Sequence, residues 1–315
     1  MNNQLLKAAK TVVCLTAVLL FSGCSKNTII LDAGGDKNNS GNHSGSTLVA
    51  FNASVEGRNL FTRSMSPMLK GIQSRMFAYT SESSTKNAAP VAEGLYITSS
   101  PGVLSGVDGY KMYLDNGLYN FYAVSDNFSQ IPPSFKNGQS EPLFNGIDYL
   151  WWHNTQLDVT SSQIMIPITY QHAASQVVVS VAAGTNITLN KLVSAMITPP
   201  EVGASMELST GIITPAHSID PVSDKMGINQ FTCQYIMLPA ETTHQMLLTL
   251  ELMVDNESTS RTYTVEIPLP DNALKAGNSY LFKALINENT IAFPSVSVKE
   301  WTEVDEKGNP LYPVQ

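Results

Sequence analysis

Cys24 has the clearest chemical context in this chain. It follows Lys7, Lys10, an apolar run from Thr11 to Phe21, and the small pair Ser22-Gly23. A charged start, a short apolar core and small residues at the cut are the layout of a secretory signal peptide. The run is too short to cross a bilayer, which needs ~20 apolar residues. LFSGC resembles a bacterial lipobox, with Phe21 where leucine is more usual. Cleavage before Cys24 would free its amine, and both that amine and the thiol would carry palmitate-type acyl chains. More than one acyl chain makes a stable anchor.

The other reactive side chains form no such pattern. Cys14 lies within the signal, so Cys233 has no partner for an internal disulfide. It lies in QFTCQYIML in phase with Phe231, Tyr235 and Met237, and reads as a buried, inert thiol. His172 has no second histidine, cysteine or carboxylate at ligand spacing and reads as a hydrogen-bonded structural histidine. His43, His153, His217 and His244 are scattered and receive no role. Trp151-Trp152 in DYLWWHN could stack a sugar, but on a strand the two rings point to opposite faces, so at most one is buried. Core and rim packing is the plainer reading of that pair. AGTN and LKAGN are turns rather than phosphate cradles, and Asp255-Asn256-Glu257 lacks the rest of a calcium loop. No catalytic residue, metal or cofactor is expected.

Composition narrows the classes further. Residues 1–23 carry two of the 18 basic residues and none of the 26 acidic ones, so the mature chain has a formal charge near −10. That excludes nucleic acid, which needs concentrated Lys and Arg. Only 14% of residues are charged, against about 25% in an average soluble domain. Ser, Thr and Asn are abundant instead, as on extracellular β-proteins.

The elements that must position these residues are strands. After a signal peptide (1–23) comes a tether, 24–47, whose LDAGGDKNNSGNHSGST cannot bury a core. LVAFNASV then places Val49, Phe51, Ala53 and Val55 on one face. YKMYLDNGLYNFYAV holds two aromatic-rich runs around Asp115-Asn116-Gly117, a hairpin signature. QIMIPITYQ, QVVVSV and HQMLLTLELMVDNESTSRTYTVEIPL alternate in the same way, and MELSTGIIT reads as strand, tight turn, strand. Helical period is weak; NITLNKLVSAMI could hold a turn or two. Many short alternating strands separated by turns predict β-sandwiches. The polar interval NTQLDVTSSQ sets a boundary near residue 162, giving units 48–162 and 163–315.

Three stretches carry a family resemblance: IPITYQHAASQVVVSV, LKAGNSYLFKALI and the closing VSVKEW. Together with the lipobox and Thr62-Arg63, they resemble the fimbrillin superfamily of Bacteroidales, the subunits of type V pili. The resemblance implies an all-β chain of two consecutive transthyretin-like, Ig-like Greek-key β-sandwiches, exported as an outer-membrane lipoprotein and displayed in a surface fimbria. It also implies assembly. A trypsin-like protease cuts after an arginine beyond the first strand, and the freed groove accepts a strand from the next subunit. Such a contact is head-to-tail and builds a filament.

Four arginines follow Cys24: Arg58, Arg63, Arg75 and Arg261. Arg58 and Arg63 flank NLFT, and Arg63 precedes SMSP, which reads as a loop. Loop arginines are what a protease reaches, so Arg63, then Arg58, are the candidate processing sites. The expected partners are other fimbrial subunits, the outer membrane through the lipid, and a host or bacterial surface ligand. The alternative is a surface glycan-binding lipoprotein on the same sandwiches, reached through Trp151 or Trp152. The tail after Trp301, TEVDEKGNPLYPVQ, has few apolar anchors and two prolines, a poor pattern for a donor strand.

Overall fold

The computed structural model describes residues 46–58, 63–201, 203–215, 222–255, 257–299 and 301. The signal peptide, Cys24 and most of the tether lie outside the described residues. The tether's last two expected positions do not, because Ser46 and Thr47 already belong to the first strand.

Alternating apolar residues produce strands throughout, and among the described residues the only helical turns are two of 3-10 type. The first eleven strands are β1 (Ser46–Arg58), β2 (Arg63–Pro67), β3 (Gln73–Thr80), β4 (Ala92–Ser100), β5 (Val103–Gly106), β6 (Met112–Asp115), β7 (Gly117–Ser125), β8 (Phe135–Lys136), β9 (Gln139–Ser140), β10 (Leu150–Val159) and β11 (Gln163–His172). Nine of them form one sheet ordered β11-β10-β7-β3-β4-β5-β1-β2, with β6 also beside β1 and β1 returning to β11. The sheet therefore closes on itself. Phe51, Met76, Phe121, Ile166 and Tyr170 fill its interior, each at most 1% exposed.

The remaining strands are β12 (Ser175–Ala183), β13 (Leu189–Thr198), β14 (Ala204–Met206), β15 (Ile213–Pro215), β16 (Asp224–Lys225), β17 (Gly227–Asn229), β18 (Thr232–Met237), β19 (Ala240–Glu241), β20 (Met246–Val254), β21 (Arg261–Ile267), β22 (Ala273–Leu274), β23 (Ser279–Ile286) and β24 (Ile291–Lys299). A five-stranded sheet, β17-β18-β12-β23-β24, faces a four-stranded one, β16-β13-β20-β21. Val177, Val179, Cys233, Leu248, Leu250 and Phe282 pack between them, as in a β-sandwich. The molecule is all-β with sandwich packing, as the alternation predicts.

A third apolar cluster joins the two regions. The β14–β15 hairpin, with Met206, Leu208 and Ile213, lies against Phe77, Tyr79, Tyr122 and Val124 on the outer face of the first sheet. This explains why β3 and β7 are buried on both faces for much of their length and why GLYNFYAV reads as a nearly continuous apolar run.

Three expectations are corrected. Asp115-Asn116-Gly117 does not make a hairpin: β6 pairs with β1, whereas β7 pairs with β3 and β10. The turn is a corner at which the chain changes partners. From Leu189 onward NITLNKLVSAMI is strand β13, with register shifts between Leu189 and Lys191 and between Leu192 and Ser194. The second bulge puts the inward residues Leu192 and Ala195 three apart, which mimics helical spacing. The strand at 163, expected to open a second unit, is instead β11 of the first sheet. Its Ile164, Ile166, Ile168 and Tyr170 belong to the first core, and the change of sheet comes between His172 and Ser175.

Candidate functional site

β1 is held along both edges. One edge runs parallel to β11, Leu48 to Val55 against Gln163 to Tyr170. The other meets β6 at Ser46–Val49, β5 at Asn52 and β2 at Ser54–Arg58. Its inward residues Val49, Phe51, Ala53 and Val55 are 2%, 1%, 3% and 6% exposed. Phe51 meets Tyr96 edge-on at 5.2 Å and Phe121 at 6.2 Å, and Ser54 Oγ donates to the Ile168 carbonyl at 3.1 Å. A strand paired on both edges, with one face in the core, occupies a slot. Taking it away leaves unpaired backbone along β11 and β2 above an apolar floor.

Arg58 and Arg63 are cross-strand partners at the end of the β1–β2 hairpin, and residues 59–62 between them lie outside the described residues. The stretch RSMSP is not the expected loop. It is β2, because its backbone pairs with β1 from Ser54 to Arg58. Met65, Ser66 and Pro67 are exposed, and β2 ends the path of the sheet, an edge where proline is tolerated. The other two arginines are tied down. Arg75 pairs with Glu93 at 2.7 Å and donates to the Pro132 carbonyl. Arg261 grips Glu257 through two donors and donates to the Glu288 carbonyl at 2.9 Å.

At the other end of the chain VSVKEW leads out of β24, which pairs antiparallel with β23 and so extends the five-stranded sheet. Pro294, Val296 and Val298 are exposed, so its outer half is held by backbone bonds more than by core contacts. Trp301 then returns to the junction and stacks on His172, ring centroids 3.9 Å apart at 21°. His172 Nδ1 lies 2.8 Å from Asp148 Oδ1, both side chains 1% exposed, and Asp148 Oδ2 accepts from Asn127 at 2.9 Å. His172 is thus the structural histidine expected, and Asp148 is the partner missed. The signal was distant: the pairing of Leu150 with His172 carries Asp148 to it. Residues 302–315 lie outside the described residues.

Trp151 and Trp152 part as strand geometry requires. Trp151 is 9% exposed and donates from its indole N–H to the Leu208 carbonyl at 2.8 Å. A Cβ on Gly211, at φ +71°, would lie 2.4 Å from that ring, so glycine is needed there both for backbone and for space. The opposite neighbour of Trp151 is His153, stacked at 4.7 Å and 21°. Trp152 points the other way and packs, half-buried, against the first core. An open cleft of about 510 Å³ lies where β10, β11 and the β1–β2 hairpin meet.

Cys233 is fully buried, and burial pushes its thiol up to about 12, which fits an inert core residue. Among the described residues no three His, Cys, Asp or Glu side chains gather as a metal site, and no helix is long and apolar enough to cross a membrane.

The comparisons with known proteins agree with this geometry. The sequence model of a family described as fimbrillin-like matches residues 62–301. Among solved structures, a candidate cell adhesion protein of Bacteroides ovatus superposes with a TM-score of 0.60 at 15% identity, covering 82% of this chain and 99% of its own. A second, from Bacteroides uniformis, gives 0.57 at 14% identity, covering 82% and 100%. A third, from Bacteroides fragilis, gives 0.53 at 15%, covering 82% and 99%. At these identities the likeness is one of fold. Among curated proteins none matches.

Proposed function

The chain belongs to the fimbrillin-like family, and from that premise we propose that it is exported as a lipoprotein, acylated at Cys24, and built into a surface fimbria by strand exchange. Its role is structural and adhesive, not enzymatic. A protease cut after Arg63, or after Arg58, separates β1 from the body. A strand from the next subunit takes its place, pairing with β11 and burying its own apolar face. Each large side chain so buried contributes roughly 1.5–3 kcal/mol. The lipid holds the precursor at the outer membrane before maturation. The two sandwich units of the reading divide between His172 and Ser175 rather than at 162.

The observation that carries this reading is β1 itself: a strand with both edges paired and four side chains in the core, joined to the rest by a hairpin flanked by two arginines. The side chains of Arg75 and Arg261 are engaged in ion pairs and carbonyl bonds, which disfavours cutting there. The test uses cells expressing Arg63→Ala alone, Arg58→Ala with Arg63→Ala, and Cys24→Ala. N-terminal sequencing should find the wild type starting just after an arginine and the double variant uncut, with filaments in electron micrographs of the wild type alone. Fatty-acid labelling should vanish in Cys24→Ala. Normal filaments from the uncut double variant would overturn strand exchange for this subunit.

A further inference from the structure

The cleft between β10, β11 and the β1–β2 hairpin has a lining of definite chemistry. Glu56 comes from β1, Met65 from β2, Trp152 and His153 from β10, and Thr169 and Gln171 from β11. Of the two tryptophans expected as a sugar platform, Trp151 also lines the cleft, but its ring is largely covered. Trp151 has Gly211 against its ring and His153 stacked on it, and its N–H is bound to Leu208. That arrangement creates a different platform. The imidazole of His153 is held flat against the buried indole, yet His153 is exposed. Since one face rests on Trp151, the exposure lies on the other face and the ring edge. Desolvation lowers its pKa from the ordinary value, which favours the uncharged ring.

We propose that this cleft binds a neutral carbohydrate, one pyranose lying on the outward face of His153 and facing Thr169 and Gln171 of β11. Three features select that class. A pyranose presents a flat C–H face to an aromatic ring. Its hydroxyls are at once donors and acceptors, which suits the amide of Gln171, the hydroxyl of Thr169 and the carboxylate of Glu56. Among the described residues the lining carries one acid, Glu56, and no lysine or arginine, which disfavours an anionic polymer. The open mouth lets a chain run past, so the site suits a residue within a surface polysaccharide rather than an enclosed monosaccharide. Glu56 and Met65 are cross-strand partners in the hairpin that carries Arg58 and Arg63. Loss of β1 would remove Glu56, so the complete cleft belongs to the uncut protein.

The experiment applies an array of neutral oligosaccharides (gluco-, manno- and galacto-hexaoses) and oligogalacturonate to the purified full-length protein, followed by calorimetry on any hit. At least one neutral hexaose should bind saturably. Affinity should fall at least about tenfold in His153→Ala and in Gln171→Ala. Both residues are exposed, and circular dichroism should show each variant folded like the wild type. Absence of saturable binding by every neutral probe, affinity unchanged in both variants, or preference for oligogalacturonate would each overturn the proposal. These readouts do not depend on cutting or filament growth, so they stand apart from the test of strand exchange.

Discussion

Replacing Asp148 by alanine removes the acceptor of the His172 Nδ1 bond in a place where neither side chain meets water. A buried polar group left without its bond costs about 1–3 kcal/mol, and the Trp301 stack rests on the same imidazole. Asp148→Ala should therefore lower stability by that amount in denaturant unfolding, with Asp148→Asn losing less because its amide oxygen can still accept. Asp126 lies nearby, and burial, with a smaller push from Asp148, raises its carboxyl to about 6. The unfolded carboxyl ionises near ~3.9. Between those values the folded state holds a proton that the unfolded state has released. Asp126 therefore favours folding below the unfolded value, and that contribution is lost as pH rises through the folded one. Asp126→Asn keeps an acceptor for the Phe128 N–H and should remove this fall. The check is the difference in urea midpoints, variant minus wild type, which should grow between about pH 4 and pH 7. A constant difference would refute the assignment.

Among the elements, β1 is packed deeply although the proposed cut would remove it. Phe51→Ala should cost about 3–5 kcal/mol, the usual range for a buried aromatic truncated to alanine, because Phe51 touches rings on two other strands. The loss should appear as a lower midpoint in chemical unfolding of the uncut protein. In protein whose β1 has been removed by the cut, the same substitution should have no effect, since the residue is gone. The β14–β15 hairpin works differently. It adds no strand to a large sheet and acts through its side chains and Gly211, clamping the outer face of β3, β7 and β10. It thereby turns surface strands into interior ones.

For the whole molecule, the strand-exchange proposal assigns assembly to the two chain ends. β24 hangs on β23 with its outer half exposed, and Trp301 anchors the chain at the junction before residue 302. Deleting residues 303–315 should leave a folded protein, with far-ultraviolet circular dichroism and unfolding midpoint unchanged, that no longer extends filaments in electron micrographs. Deleting from Trp301 onward should in addition lower stability, because the His172 face is uncovered. Filaments from the 303–315 deletion would place the donor strand elsewhere.

The fold class was legible in the sequence because strand faces are set locally. Met246, Leu248, Leu250, Leu252 and Val254 alternate in the chain, and all five are fully buried in β20. The same holds for Val49 to Val55 in β1, for the inert Cys233, and for His172 as a hydrogen-bonded residue. What the chain alone could not decide is which strands meet. Whether β6 pairs with β7 or with β1, and whether β11 ends one region or opens the next, depends on backbone bonds to segments about a hundred residues away, such as Ile168 to Ala53. Alternation is silent on partner choice, since any strand with one apolar face fits many neighbours. Asp148, the clamp on Trp151 and the cleft beside His153 exist only after those pairings form. Each brings together side chains that share no period and no motif, so tertiary packing alone places them.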